Sequence, residues 1–320
     1  MQQQASARRI DDREPAYDLR EYPENGCANI GPILDPRAAA DLRAWIDARR
    51  PVSKDIFYAT EAEFSAKGRW HNYAPGRDAH NLLLDPTLDL SFIEKNPRFI
   101  SCMQQLFGDT YEIFKKSIIR SVPRRAVPDW LFDYLMDVGR PNMNPFVTDD
   151  RQDVQYFLCT DFHQDKTRPE SDFATVYVYL DEVDPTYSAL QVLVGSHKLG
   201  MTVYPHSVRR SVKNPRNWFY SDAIGNHMEC PVKTVVGGPG SIFAFHCMTL
   251  HGTGFNDSVN PRISLRYLVR KAPGSAHAGL HDRANDKIIG PRKLLHSRLD
   301  VGVDSAFQRT GSALNSYTGP

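Results

Sequence analysis

The chain has 320 residues, 41% of them hydrophobic, and its 39 basic and 38 acidic side chains leave a formal net charge of +1. That length allows a sizeable core, as one large domain or two small ones. The charge balance argues against a nucleic-acid or membrane-surface partner. No apolar run approaches the roughly 20 residues that span a bilayer, and the N-terminus lacks the apolar stretch of a secretory signal. Five cysteines, with no C-x-x-C pair, fit reduced thiols in a cytoplasmic protein.

Residues 1–20 are polar and read as a flexible arm. "YPENGCANIGPIL" reads as a turn and a short strand. In "DPRAAADLRAWIDARR", Asp35 suits an N-cap and Pro36 the first helical position, while Ala38, Leu42, Trp45 and Ile46 form an apolar stripe. "DLSFIEKNPRFISCMQQLFG" reads as helical with a break at Asn96–Pro97, and "TYEIFKKSIIRSV" as a strand. Residues 123–153 are irregular and rich in proline and aromatics, with room for a short helix, "DWLFDYLMDV"; so long an insertion is a candidate lid.

The next stretch is β-rich: "VQYFLCTDF", "FATVYVYLDEV", "ALQVLVGSH", "KTVVGG", "SIFAFHCMTLHG" and "RISLRYLVR", separated by Pro and Gly turns. The pattern predicts a mainly β protein with flanking helices, a sandwich or jelly roll whose helices come from the N-terminal third. The expected plan is one domain over 21–270 and a C-terminal extension over 271–320. The segments 184–188 and 203–230 are expected to help shape a pocket.

Within "TDFHQDKT", His163 and Asp165 lie two residues apart, which on a strand places them on one face. A third ligand is needed, and His197, His206, His227, His246, His251 and, at the tail's edge, His277 follow as candidates. His251 is best placed, ending "SIFAFHCMTL" just before Gly252 and Gly254, with His246 pointing to the opposite face. Two histidines and a carboxylate leave open metal positions and suit non-heme Fe(II) centres that activate oxygen. A keto acid would supply electrons and fill two positions, and its distal carboxylate calls for an arginine. Arg262, eleven residues after His251, is the first candidate; Arg266, on the same strand face, is the reserve.

These segments carry a resemblance. H-x-D, then "LHGTGFNDS" and "PRISLRY", is similar to the phytanoyl-CoA dioxygenase-like family of Fe(II)/2-oxoglutarate oxygenases. "VLVGSHKLG" resembles that family's P-G-S-H-K-x-G turn, with Val194 in place of proline. "GGPGSIFAFHCMTLHGTG" and "YPENGCANIGPILDPRAAADLRAWI" resemble its other segments, whereas "DPTYSAL" departs from its Asn-Gly turn. The resemblance covers roughly residues 20–270. It implies a double-stranded β-helix (jelly-roll or cupin-like) core with N-terminal helices packed on one sheet. It implies iron at His163, Asp165 and His251, and 2-oxoglutarate at Arg262 with Thr253, Tyr177 and Lys115. O2 is then the second co-substrate and a small or medium organic molecule the substrate. Asp165, absent from halogenating relatives, favours hydroxylation. The alternatives are a cupin-like metal enzyme that needs no keto acid and a non-catalytic jelly-roll binding protein. Oligomeric state and the identity of the substrate are left open.

Overall fold

The computed structural model describes residues 19–67, 82–138, 143, 146–148, 155–165, 172–202, 206–222 and 225–290. In chain order these form α1 (Tyr22–Asn25), β1 (Cys27–Pro32), α2 (Pro36–Arg49), α3 (Glu61–Lys67), α4 (Ser91–Glu94), α5 (Pro97–Phe107), β2 (Tyr111–Ser121) and α6 (Asp129–Val138). There follow β3 (Gln155–Phe157), β4 (Thr160–His163), β5 (Ala174–Tyr179), β6 (Leu190–Leu193), β7 (His206–Arg210), β8 (Asn217–Asp222), β9 (His227–Val235), β10 (Ser241–His246), β11 (His251–Thr253), β12 (Arg262–Lys271) and α7 (Leu280–Asp286).

The helices start where local chemistry directs. The Asp35 side chain accepts the Arg37 N–H at 2.9 Å with Pro36 at the first helical position. Asn96 caps α5 by accepting the N–H groups of Arg98 and Phe99, and the break at Asn96–Pro97 separates α4 from α5. Phe99, Cys102, Met103 and Leu106 then form one buried stripe at helical spacing. Gly26 ends α1 at φ +65°, and a Cβ there would lie 2.3 Å from His197 Nδ1, so both conformation and space demand glycine.

Two six-stranded sheets face each other among the described residues, ordered β1-β10-β5-β12-β2-β3 and β4-β11-β6-β9-β8-β7. Successive strands alternate between the sheets from β3 to β6 and again from β9 to β12, as a jelly roll requires. Ile263, Leu265, Tyr267 and Val269 face outward into the main core with Leu42, Ile46, Phe99 and Leu106 of the helices. The helices thus cover the outside of the first sheet. Between the sheets, Cys27, Tyr177, Tyr179, Phe243 and Phe245 meet Leu190, Val192 and Val235.

Three expectations change. "VQYFLCTDF" is two strands, β3 and β4, in different sheets, and "SIFAFHCMTL" is likewise broken into β10 and the approach to β11. These runs read as continuous strands because the turns between the pieces, at Leu158–Cys159 and Cys247–Leu250, are themselves buried. In the described part of 203–230, β7 and β8 form the far edge of the second sheet, and their apolar side chains join the cluster on its outer face, away from the space between the sheets. There Val208, Trp218 and Tyr220 cover Phe162, Leu193 and Leu250, and His206 Nε2 lies 3.0 Å from the Phe162 carbonyl oxygen.

Helix α6 forms at "DWLFDYLMDV" and is seated on the core through Leu131 and Leu135, with Trp130 Nε1 donating to the Tyr58 carbonyl. Of the candidate lid, residues 139–142, 144–145 and 149–153 lie outside the described residues, as do the expected arm to residue 18 and the tail beyond 290. The described extension carries α7, held to α1 by Tyr22 Oη and His281 Nδ1 at 3.0 Å.

Candidate metal centre

His163 ends β4 and His251 opens β11. The antiparallel ladder sets them directly opposite, with ring centroids 4.3 Å apart. Asp165 lies just past the end of β4, so its alignment comes from the turn and not from strand alternation. Its Oδ1 stands 3.9 Å from His163 Nε2 and 3.8 Å from His251 Nε2. A divalent metal about 2.1 Å from each atom needs ligand atoms roughly 3.0–3.5 Å apart, so a shift of about half an ångström completes the site.

The surroundings prepare these groups. His251 Nδ1 lies 3.0 Å from the Thr249 carbonyl oxygen, which can only accept. Nδ1 therefore carries the proton, and the Nε2 lone pair faces the metal position. Burial first, and the neighbouring His163 second, push the His251 imidazole down to about 3, so it stays neutral. Burial pushes the Asp165 carboxyl up, but Arg266, His251, His163 and Thr175 outweigh it and hold the group well below the usual carboxylate range. Arg266 Nη2 donates to Oδ1 at 2.9 Å and Thr175 Oγ1 donates to Oδ2 at 2.5 Å. Both carboxylate oxygens are thus fixed.

Gln164, between the ligands, turns away and is buried. Its Nε2 donates to the carbonyls of Gly200 and Met248 at 2.8 and 2.6 Å, and its Oε1 accepts from Thr202 N and Oγ1 at 2.9 and 3.1 Å. This amide ties the end of β4 to the turn that delivers His251. Thr175 and Gln164 escape sequence reading because their partners lie on other elements, and Thr249 because it acts through a backbone carbonyl that any residue could supply.

Arg262, Ser264 and Arg266 alternate along β12 with the core-facing residues and so point between the sheets. Arg262 is 2% exposed, donates to Ser264 Oγ at 2.5 Å and stands 5.8 Å from the Tyr179 ring centroid. Its Nε is a buried donor with no partner, and no described carboxylate lies within ion-pair distance of it. Such a group fits the distal carboxylate of a keto acid. Tyr177 pairs with Arg266 across the ladder and stacks on Phe245, which in turn packs on His251. Thr253 is buried two residues beyond His251 and pairs with Leu190. Lys115 is not brought to Arg262: they pair with Leu268 and Ser121 respectively, six residues apart on β2, about 20 Å along the strand.

A sequence profile decides the relationship: that of "Phytanoyl-CoA dioxygenase (PhyH)" matches residues 22–264. The chain belongs to the phytanoyl-CoA dioxygenase family. It is therefore an enzyme of the non-heme-iron, 2-oxoglutarate-dependent class that acts on small molecules. Among solved structures it is similar to AviO1 from Streptomyces viridochromogenes Tue57, at 16% identity and TM-score 0.46, covering 81% of this chain and 95% of that one. It is also similar to the epimerase SnoN in complex with Fe3+, alpha ketoglutarate and nogalamycin RO, at 14% and 0.45, covering 87% and 94%. A third is EvdO2 from Micromonospora carbonacea var. aurantiaca complexed with 2-oxoglutarate, at 18% and 0.43, covering 86% and 96%. No curated protein sequence matches the chain. No helix among the described residues is long and apolar enough to cross a membrane.

A second trio, Asp172, His246 and Cys247, also brings ligand-type atoms together. Hydrogen bonds account for it. His246 Nδ1 accepts the Met248 N–H, and its Nε2 lies 3.2 Å from Asn285 Oδ1. Asp172 receives Asn285 Nδ2 at 2.9 Å and lies 2.8 Å from His281 Nε2. The trio clasps α7, and the His246 lone pair is already engaged.

Proposed function

We propose that the protein is an Fe(II)/2-oxoglutarate-dependent dioxygenase that hydroxylates a C–H bond of a small or medium organic molecule, releasing succinate and CO2. His163, Asp165 and His251 hold the iron. Arg262, with Ser264 beside it and Thr253 and Tyr177 on the walls, takes the distal carboxylate of 2-oxoglutarate. Lys115, midway along β2 and six residues from the Ser121 that pairs with Arg262, is left out of this set. Residues 21–270 act as one oxygenase domain and 271–320 as its extension.

The observation that carries the reading is Arg262, buried between the sheets with an unpartnered Nε and no described carboxylate within ion-pair distance, on the strand that also carries the Arg266 partner of Asp165. When bound, the iron would activate O2, the oxidant, with two electrons supplied by the keto acid as it becomes succinate and CO2. The chain fixes Asp165 through Arg266 and Thr175, sets the His251 tautomer through Thr249, and excludes water with the Phe243, Phe245 and Tyr179 wall. The carboxylate at position 165 favours hydroxylation over halogenation, since it occupies the metal position a halide would need.

Anaerobic titration with Fe(II) and then 2-oxoglutarate tests this. A visible charge-transfer band is expected in wild-type protein and absent in His163→Ala. Arg262→Ala should keep metal binding and lose 2-oxoglutarate binding by about 100-fold. Metal binding without a keto-acid response would favour the cupin-like alternative, and no metal binding at all would favour a binding protein.

A further inference from the structure

Four side chains form one row across the second sheet. His163 pairs with His251, His251 with Val192, and Val192 with Lys233, on β4, β11, β6 and β9. Directly paired residues share a face, and Val192 belongs to the cluster between the sheets, as does Val235 two residues beyond Lys233. Val232, next to Lys233, pairs with Leu193 in the outer cluster. Lys233 therefore points into the space that holds the metal centre. Its Cα stands two strand spacings, about 10 Å, from that of His251. The thiol of Cys27, on the facing sheet, is pushed up to about 12 by burial, and the Lys233 ammonium opposes that rise, which places the charge toward the opposite wall.

Lys233 is half-buried and has no hydrogen bond or ion pair to any described residue. Of Arg262, Arg266 and Lys233, Arg266 alone has a described carboxylate within ion-pair distance. Iron and these three cations, set against Asp165 and the 2-oxoglutarate dianion, leave a formal surplus of about +2 between the sheets. Among the polar groups of the row and the inward-facing cations of β12, the metal takes His163 and His251, the co-substrate takes Arg262 and Asp165 takes Arg266, which leaves Lys233.

We propose that the substrate is anionic, bearing a carboxylate or a phosphate ester several bonds from the carbon that is oxidised, and that Lys233 binds that anion beside the metal centre. The proposal rests on the oxygenase reading above. It gives Lys233 a specificity role: it anchors the end of the substrate remote from the reacting carbon, so its loss weakens binding before it slows chemistry.

The test uses the full chain loaded with Mn(II) and saturating 2-oxoglutarate, without oxygen. Inorganic phosphate is followed by 31P relaxation and acetate by 13C relaxation. At least one anion should show a saturable paramagnetic enhancement, and the tighter of the two identifies the anion class. Lys233→Gln should weaken that anion by about tenfold or more and Lys233→Arg by less than about threefold. The Mn(II) and 2-oxoglutarate affinities of both variants should match wild type. Absence of a saturable effect for both anions in wild type, or an effect that Lys233→Gln leaves intact, as for an anion ligating the metal directly, would overturn the proposal. Failure of wild-type protein to bind Mn(II) or 2-oxoglutarate would overturn the oxygenase reading, and this site with it.

Discussion

Replacing Gln164 with glutamate keeps the shape of the side chain and converts one end from a two-proton donor into an oxygen. That end faces the carbonyls of Gly200 and Met248 at 2.8 and 2.6 Å. Two hydrogen bonds are lost, at about 1 kcal/mol each, and two buried carbonyls lose their donor, at about 1 kcal/mol or more each. The expected destabilisation is about 4 kcal/mol, a large share of the 5–15 kcal/mol typical of a domain. The acceptor end, bonded to Thr202, is preserved, so the damage falls on the link between the end of β4 and Met248, three residues before His251. Urea unfolding of the metal-free protein reads the stability, and Co(II) titration reads the site. Gln164→Glu should lower both, with Co(II) affinity down by about tenfold. Unchanged stability would refute the hydrogen-bond assignment. A loss of stability with intact Co(II) affinity would refute the idea that this amide positions the ligands.

Arg266→Met leaves Asp165 buried with Thr175 alone and should cost the metal-free protein about 3–5 kcal/mol; Co(II) should recover more stability in the variant than in wild type, measured by thermal melts. Gly26→Ala meets His197 Nδ1 at 2.3 Å in a left-handed conformation and should destabilise by about 2 kcal/mol or more in urea, with metal affinity retained once folded. Burial pushes the His197 imidazole down to about 4. Above about pH 6.5 neither state is protonated there. As pH falls from 6.5 to 4 the unfolded chain takes up a proton that the folded chain refuses, so stability should drop by about 3 kcal/mol. Urea unfolding at pH 7 and pH 4.5 should show that slope reduced in His197→Gln.

The sequence by itself determined whatever depends on near neighbours. The Asp35 and Asn96 caps, the proline break between α4 and α5, and the α6 segment follow from backbone donors and spacing within one turn. The order H-x-D, H, R was legible because each motif is short and carries its own turn residues. Its family was legible for the same reason, and the profile match over 22–264 bears that out. Only the tertiary structure decided which sheet each strand joins. An apolar run whose crossing residues are buried shows no break where the chain passes from one sheet to the other, as at Leu158–Cys159 and at Cys247–Leu250. Register decided the rest. It set His163 against His251, moved Lys115 away from Arg262, gave Asp165 to Arg266 and Thr175, and turned Lys233 inward. These are pairings between residues ten to more than a hundred positions apart, and alternation along a single strand says which residues share a face but not what that face meets.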